Sequence, residues 1–79
     1  MTRYHLIPIT VHAGGRREPG KVASFTMNHA DVAPMPHEIL REHGIAVYGH
    51  DYTGHDNGRW LSVSAADFPD ALRALRSYS

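Results

Sequence analysis

Residues 45–64, IAVYGHDYTGHDNGRWLSVS, decide how this chain is read. Ile45 and Val47 share one parity, Leu61 and Val63 repeat the pattern, and Asn57-Gly58 lies between them. Apolar residues at every second position mark half-buried strands, and Asn-Gly between two such runs marks a hairpin. The register must then put all four apolar residues on one face, because a slip of one residue turns a whole strand over. A two-residue Asn57-Gly58 turn fails that requirement. A three-residue Asp56-Asn57-Gly58 loop, with Gly58 left-handed, meets it. That loop pairs Tyr52 with Ser62, His50 with Ser64 and Gly54 with Trp60, and it places Asp51 on the core parity. Tyr48, Tyr52 and Trp60 then share the face opposite the core.

Working outward, Arg3 to Ala13 also alternates, with Ile7, Ile9 and Val11 expected inside and Tyr4, Leu6 and Thr10 outside. Pro8 cannot donate to a ladder, which points to an edge strand or to one whose N–H position faces out at that residue. The stretch Gly14-Gly15-Arg16-Arg17-Glu18-Pro19-Gly20 reads as a loop. Lys21 to Asn28 resumes the alternation, with Ala23, Phe25 and Met27 inside. Asp31 is expected as an N-cap and Pro36 to His43 as a short helix, with Ile39 and Leu40 toward the sheet and Gly44 as its stop. The last segment carries the stronger helix: Asp67 as N-cap, Pro69 in the first turn, an apolar stripe of Phe68, Leu72 and Leu75, and Arg73 and Arg76 toward the C-terminus.

The expected fold class is therefore α+β: a two-layer sandwich of ββαββα order, with a four-stranded, mainly antiparallel sheet and two helices on one face. Displacing the chain by 36 residues lays Ile9-Thr10-Val11 on Ile45-Ala46-Val47 and Phe25-Thr26-Met27 on Leu61-Ser62-Val63. That match is compatible with a pseudo-symmetric ββα duplication. In this arrangement the helix-free face would show Tyr4, Leu6, Val22, Thr26, Tyr48, Tyr52 and Trp60.

Composition removes several functions. Seventy-nine residues make a single domain, residues 1–79, with a small core. Without cysteine the chain has no disulfide framework, thiolate metal site or redox motif, and a cytoplasmic location is the expectation. No apolar run approaches the ~20 residues of a membrane span, and no signal-peptide pattern opens the chain. Eight basic residues balance eight acidic ones, against the broad positive field of a protein gripping a phosphate backbone. Seven histidines make acid-weakened folding or self-association an expectation.

The residues singled out for partner binding are Tyr4, Tyr48, Tyr52, Arg59 and Trp60. Tyr and Trp are good strand residues whatever their function. Gathered on a face no helix covers, with Arg beside them, they are also the types that anchor protein interfaces. A sheet face with aromatics can instead stack single-stranded bases, with Arg16, Arg17 and Lys21 reaching phosphates, although neutral charge and the lack of an RNA-binding motif weigh against it. His50-Asp51 and His55-Asp56 offer metal-ligand chemistry without a ligand spacing, and solvated loop histidines account for them better. No nucleophile motif or phosphate-cradling loop is present, so no catalytic residue, metal ligand or cofactor is assigned. The reading is a small non-catalytic protein of adaptor or inhibitor type, suited to a phage or mobile element. It would contact a protein partner or form a homodimer through its aromatic sheet face.

Overall fold

A computed structural model describes residues 2–27, 34–54 and 58–78. Its sheet is organised around β1 (Thr2–Val11). One edge of β1 pairs antiparallel, first with β3 (Ala23–Met27) and farther along with β2 (Arg17–Pro19). The other edge pairs in parallel with β5 (Trp60–Ser64), and β4 (Val47–Asp51) completes the sheet antiparallel to β5. The sheet is therefore mixed and five-stranded, in place of the four mainly antiparallel strands expected, and the element order is βββαββα.

Pro8 explains why two strands share one edge of β1. It lies in a central strand, not at an edge. Along β1 the odd residues bond toward β5, as His5 N–H does to the Arg59 carbonyl (2.9 Å), and the even residues bond toward β2 and β3. The donor that proline lacks therefore falls on the β2–β3 side, where the partner chain breaks between Pro19 and Ala23. The Pro8 carbonyl still accepts from Gly20 N–H at 2.8 Å. The approach is close: a Cβ at Gly20 would sit 3.2 Å from Pro8 Cγ, so a larger residue would have to displace the proline ring.

Opposed residues in neighbouring strands share a face, and this inverts the reading of β1. Tyr4 lies opposite Phe25, Leu6 opposite both Ala23 and Leu61, and Pro8 opposite Val63. Tyr4 and Leu6 are buried, whereas Ile7 and Ile9 face away from the helices and are half-buried. The expectation that Ile7, Ile9 and Val11 line the core is corrected accordingly. The physical reason is volume: the Tyr4 ring stacks on Phe25 at 5.4 Å and meets Tyr52 edge-on, filling space that an isoleucine would leave open.

The core consists of these strand residues with Ile39, Leu40, Ile45, Ala71 and Leu75. The helices α1 (Pro36–Glu42) and α2 (Phe68–Tyr78) supply Ile39, Leu40, Ala71 and Leu75 to that single face of the sheet. Helix α1 ends where Gly44 predicts. Gly44 N–H reaches the Arg41 carbonyl at 3.0 Å and Ile45 N–H reaches Leu40 at 2.9 Å, with Gly44 at φ +74°. This is a Schellman end, and the buried Ile45 supplies its apolar contact with Leu40. At the other end, the Glu38 carboxylate accepts Met35 N–H at 2.9 Å.

The β4–β5 register also differs from expectation. Val47 opposes Val63 across a β-bulge at Tyr48; beyond it Gly49 opposes Ser62, His50 opposes Leu61 and Asp51 opposes Trp60, in place of the expected Tyr52–Ser62, His50–Ser64 and Gly54–Trp60 pairs. His50 thus takes the core side and Asp51 the outer side. The expected Asp56-Asn57-Gly58 turn and the Asp31 cap fall on or across residues outside the described set. The duplication is not supported by the sheet order, because β1 is central while its counterpart β4 is an edge strand. No helix among the described residues is long and apolar enough to cross a membrane.

Candidate functional site

The helix-free face takes its shape from β5 and the strands on either side. Trp60 stands opposite His5 on β1 and Asp51 on β4. Its six-membered ring lies over Gly49, where a Cβ would meet Cζ3 at 3.8 Å. A glycine in the edge strand therefore gives the indole a flat seat. Ile7 and Ile9 continue the face along β1. Ser62 is only 7% exposed although no helix covers it. Its hydroxyl lies 3.5 Å from the Gly49 carbonyl.

Tyr48 reaches this face from the bulge, with 39% of its surface exposed. The Arg17 guanidinium lies over its ring, 4.8 Å from the centroid. Arg17 belongs to β2 and Tyr48 to β4, the two opposite edges of the sheet. Their contact spans β1 and β5 and joins the edges across the face. At the other end, Asp51 accepts the Thr53 hydroxyl at 2.6 Å and the Thr53 backbone N–H at 2.9 Å. Those two bonds hold the Asp51 carboxyl below the usual carboxylate range.

The structure divides the residues proposed from sequence. Tyr48 and Trp60 lie on the helix-free face. Tyr4 does not: it is 1% exposed in the core. Tyr52 is half-buried on the helix side, packed on Tyr4. Arg59 is half-buried just before β5, on the parity of Leu61, and its carbonyl holds His5 N–H. Sequence reasoning missed Ile7, Ile9 and Arg17 as members of the face. No single segment signals them: the parity of β1 is tied to that of Phe25 by pairing between strands, as the Gly20–Pro8 and Tyr4–Phe25 matches show.

Tyr52 belongs to a second cluster, where α1 meets β4. The His37 and His50 rings stack at 4.0 Å, 7° from parallel. Tyr52 Oη accepts the His37 backbone N–H at 3.1 Å and lies 3.0 Å from His37 Nδ1. A hydroxyl that accepts the backbone proton can donate its own to Nδ1, which matches a neutral His37. Burial, then His50 and Arg41, lower the His37 pKa from its ordinary value, and Glu38 opposes them. Burial raises the Tyr52 pKa well above its ordinary value, keeping the hydroxyl protonated. Tyr52→Phe removes both bonds and should cost about 1–2 kcal/mol, read as a lower urea midpoint at unchanged slope. An unchanged midpoint would show that these bonds carry no net stability.

Other chemistry is sparse. Among the described residues no three His, Cys, Asp or Glu side chains come together as a metal site. His50 and Asp51 point to opposite faces, and His55 and Asp56 lie outside the described set. An open groove of about 650 Å³ between the end of α1 and α2 is lined in part by His43, Asp67, Asp70, Arg73 and Tyr78. Its main charged contact is an exposed Asp70–Arg73 pair at 3.0 Å, a pair of the kind that contributes little. Comparison of the chain with family models, with curated proteins and with solved structures returned no match.

Proposed function

We propose that this chain is a non-catalytic binding protein, of adaptor or inhibitor type, whose contact surface is the helix-free sheet face. Trp60 is its anchor, with Tyr48, Ile7 and Ile9 around it. One observation carries this reading. With Tyr4 and Tyr52 turned inward, a tryptophan, a tyrosine and two isoleucines still occupy the layer that no helix covers. An antiparallel or mixed sheet with a solvated face ordinarily shows polar side chains there. Aromatic residues with an arginine beside them are the composition of interface centres.

The test is affinity capture from native host extract with wild type and Trp60→Ala, with folding of the variant checked by circular dichroism. A partner retained by wild type should be lost from Trp60→Ala, since removing an anchor tryptophan costs ~2 kcal/mol or more, about 30-fold in affinity. Tyr48→Ala, at an exposed site, should weaken the same partner if Trp60→Ala fails to fold. Equal recovery of every protein by wild type and the folded variants would overturn the reading.

A further inference from the structure

The helix-free face is cationic at its rim, although the chain as a whole is neutral. Residues 2–27 carry Arg3, Arg16, Arg17 and Lys21 against a single acid, Glu18. Glu18 is already engaged, 2.7 Å from His12 Nε2. Arg3 has the parity of His5, Ile7 and Ile9, and Arg17 opposes Val11, so both belong to the helix-free face at its two ends. Arg16 and Lys21 are exposed in the adjoining connections. Among the described residues the carboxylate of this face is Asp51, opposite Trp60; Thr53 donates to it and it stays ionised, so the cationic excess lies along the β1–β2 side of the face. The helices of the other layer and the residues beside them are nearly balanced, with Glu38, Glu42, Asp67 and Asp70 against Arg41, Arg73 and Arg76.

From this asymmetry, and resting on the docking face proposed above, we infer that the occupant is a different protein presenting carboxylates around an apolar centre. Arg17 is prepared for such a partner. Its guanidinium is held over the Tyr48 ring, and the N–H groups of a guanidinium can take a carboxylate in a fork. Arg3 offers a second cation at the far end of the same strand. Between them Ile7, Ile9 and Trp60 supply the apolar contact. A second copy of this chain meeting the face with its own would set the same guanidinium groups against one another, a like-charge arrangement that opposes association. Single-stranded nucleic acid, which stacks successive bases on aromatic platforms, finds one side of the Tyr48 ring taken by Arg17 and one side of the Trp60 ring against Gly49.

Trp60 is the only tryptophan, so its fluorescence reports the site directly. The full chain is titrated with three synthetic 16-residue peptides that share one apolar pattern and carry Glu, Gln or Lys at the polar positions. Poly-dT of 20 nucleotides is titrated alongside, and light scattering follows the mass. The Glu peptide should shift Trp60 emission saturably and bind at least about 10-fold more tightly than the Gln peptide. Arg17→Glu, a change at an exposed site, should remove that advantage and transfer it to the Lys peptide. Equal binding of all three peptides at Trp60 would overturn the acidic partner and leave the docking face standing. A concentration-dependent dimer broken by Arg17→Glu or Trp60→Ala would name a second copy instead. Salt-sensitive quenching by poly-dT with no peptide response would name nucleic acid. No change at Trp60 with any probe, together with a constant monomer mass, would overturn the acidic partner. Joined to equal capture by wild type and the folded variants, it would remove the face itself.

Discussion

Tyr4→Ala should lower stability by about 3–5 kcal/mol, the cost of emptying a buried aromatic site. The ring is 1% exposed, stacked on Phe25 and edge-on to Tyr52. It is one of the largest side chains buried in this core, and the rings it packs on, Phe25 in β3 and Tyr52 after β4, belong to different segments. A domain of this length has only ~5–15 kcal/mol in total. Each kcal/mol shifts the midpoint by ~4–8 °C at this size, so a fall of roughly 15 °C or more is expected in a circular dichroism melt. Tyr48→Ala, on the exposed bulge, should stay within about 1 kcal/mol of wild type. The contrast places the two tyrosines in different roles. If Tyr4→Ala melted with Tyr48→Ala, Tyr4 would be a surface residue and the face assignment of β1 would be wrong.

Acid should loosen the junction between α1 and β4. His37 titrates below its ordinary value of 6.5 because burial, then His50 and Arg41, disfavour its charged form, while Glu38 partly offsets them. The folded chain therefore binds fewer protons at this site than the unfolded chain does. The stability it contributes is complete above about pH 6.5 and is lost as the pH falls below that value toward the lowered pKa. Protonation also disturbs the geometry. Nδ1 would no longer accept from Tyr52 Oη, and the new charge would lie 4.0 Å, ring to ring, from His50, which disfavours it. The charged or titratable groups around the pair are Glu38 and Arg41 on α1, Tyr52 after β4 with Tyr4 behind it, and Asp51 beside His50 on the other face. The midpoint of wild type should fall between pH 7.5 and pH 5, and His37→Gln should shrink that fall while lowering the value at pH 7.5 slightly. An equally steep fall in the variant would assign the acid response to other histidines.

Several elements could be read without coordinates because their causes are local. Gly44 ends α1 where expected, since the left-handed turn and the two bonds that close it involve residues within one helical turn. The apolar stripe of α2 and the burial of Phe25, Met27, Leu61 and Val63 follow from spacing along single segments. The face of β1 could not be read that way. Its odd positions hold β-branched residues and its even positions hold Tyr4, Leu6 and Pro8, so both sides look apolar. The register against Phe25 and Leu61 settles which side goes in. The β4–β5 hairpin was misread for a related reason. Parity demanded that paired positions sum to an even number, and an odd-length turn was expected to supply it, whereas a bulge at Tyr48 brings Val47 opposite Val63.

The candidate site shows the same division. Trp60 and Tyr48 were legible from the alternation within residues 45–64, but Arg17 was not, because its contact with Tyr48 crosses the full width of the sheet from the opposite edge. By itself the sequence determined the α+β class, two helices with their limits, and a strand pair that carries Tyr48 and Trp60 on the face away from the helices, all of which depend on periods of 2 or 3.6 within one segment. The tertiary structure alone decided that β1 and β5 run parallel at the centre, that Tyr4 and Tyr52 turn inward, and that arginines frame what remains outside. Those outcomes depend on which strands become neighbours, and neighbours are chosen by packing between segments far apart in the chain.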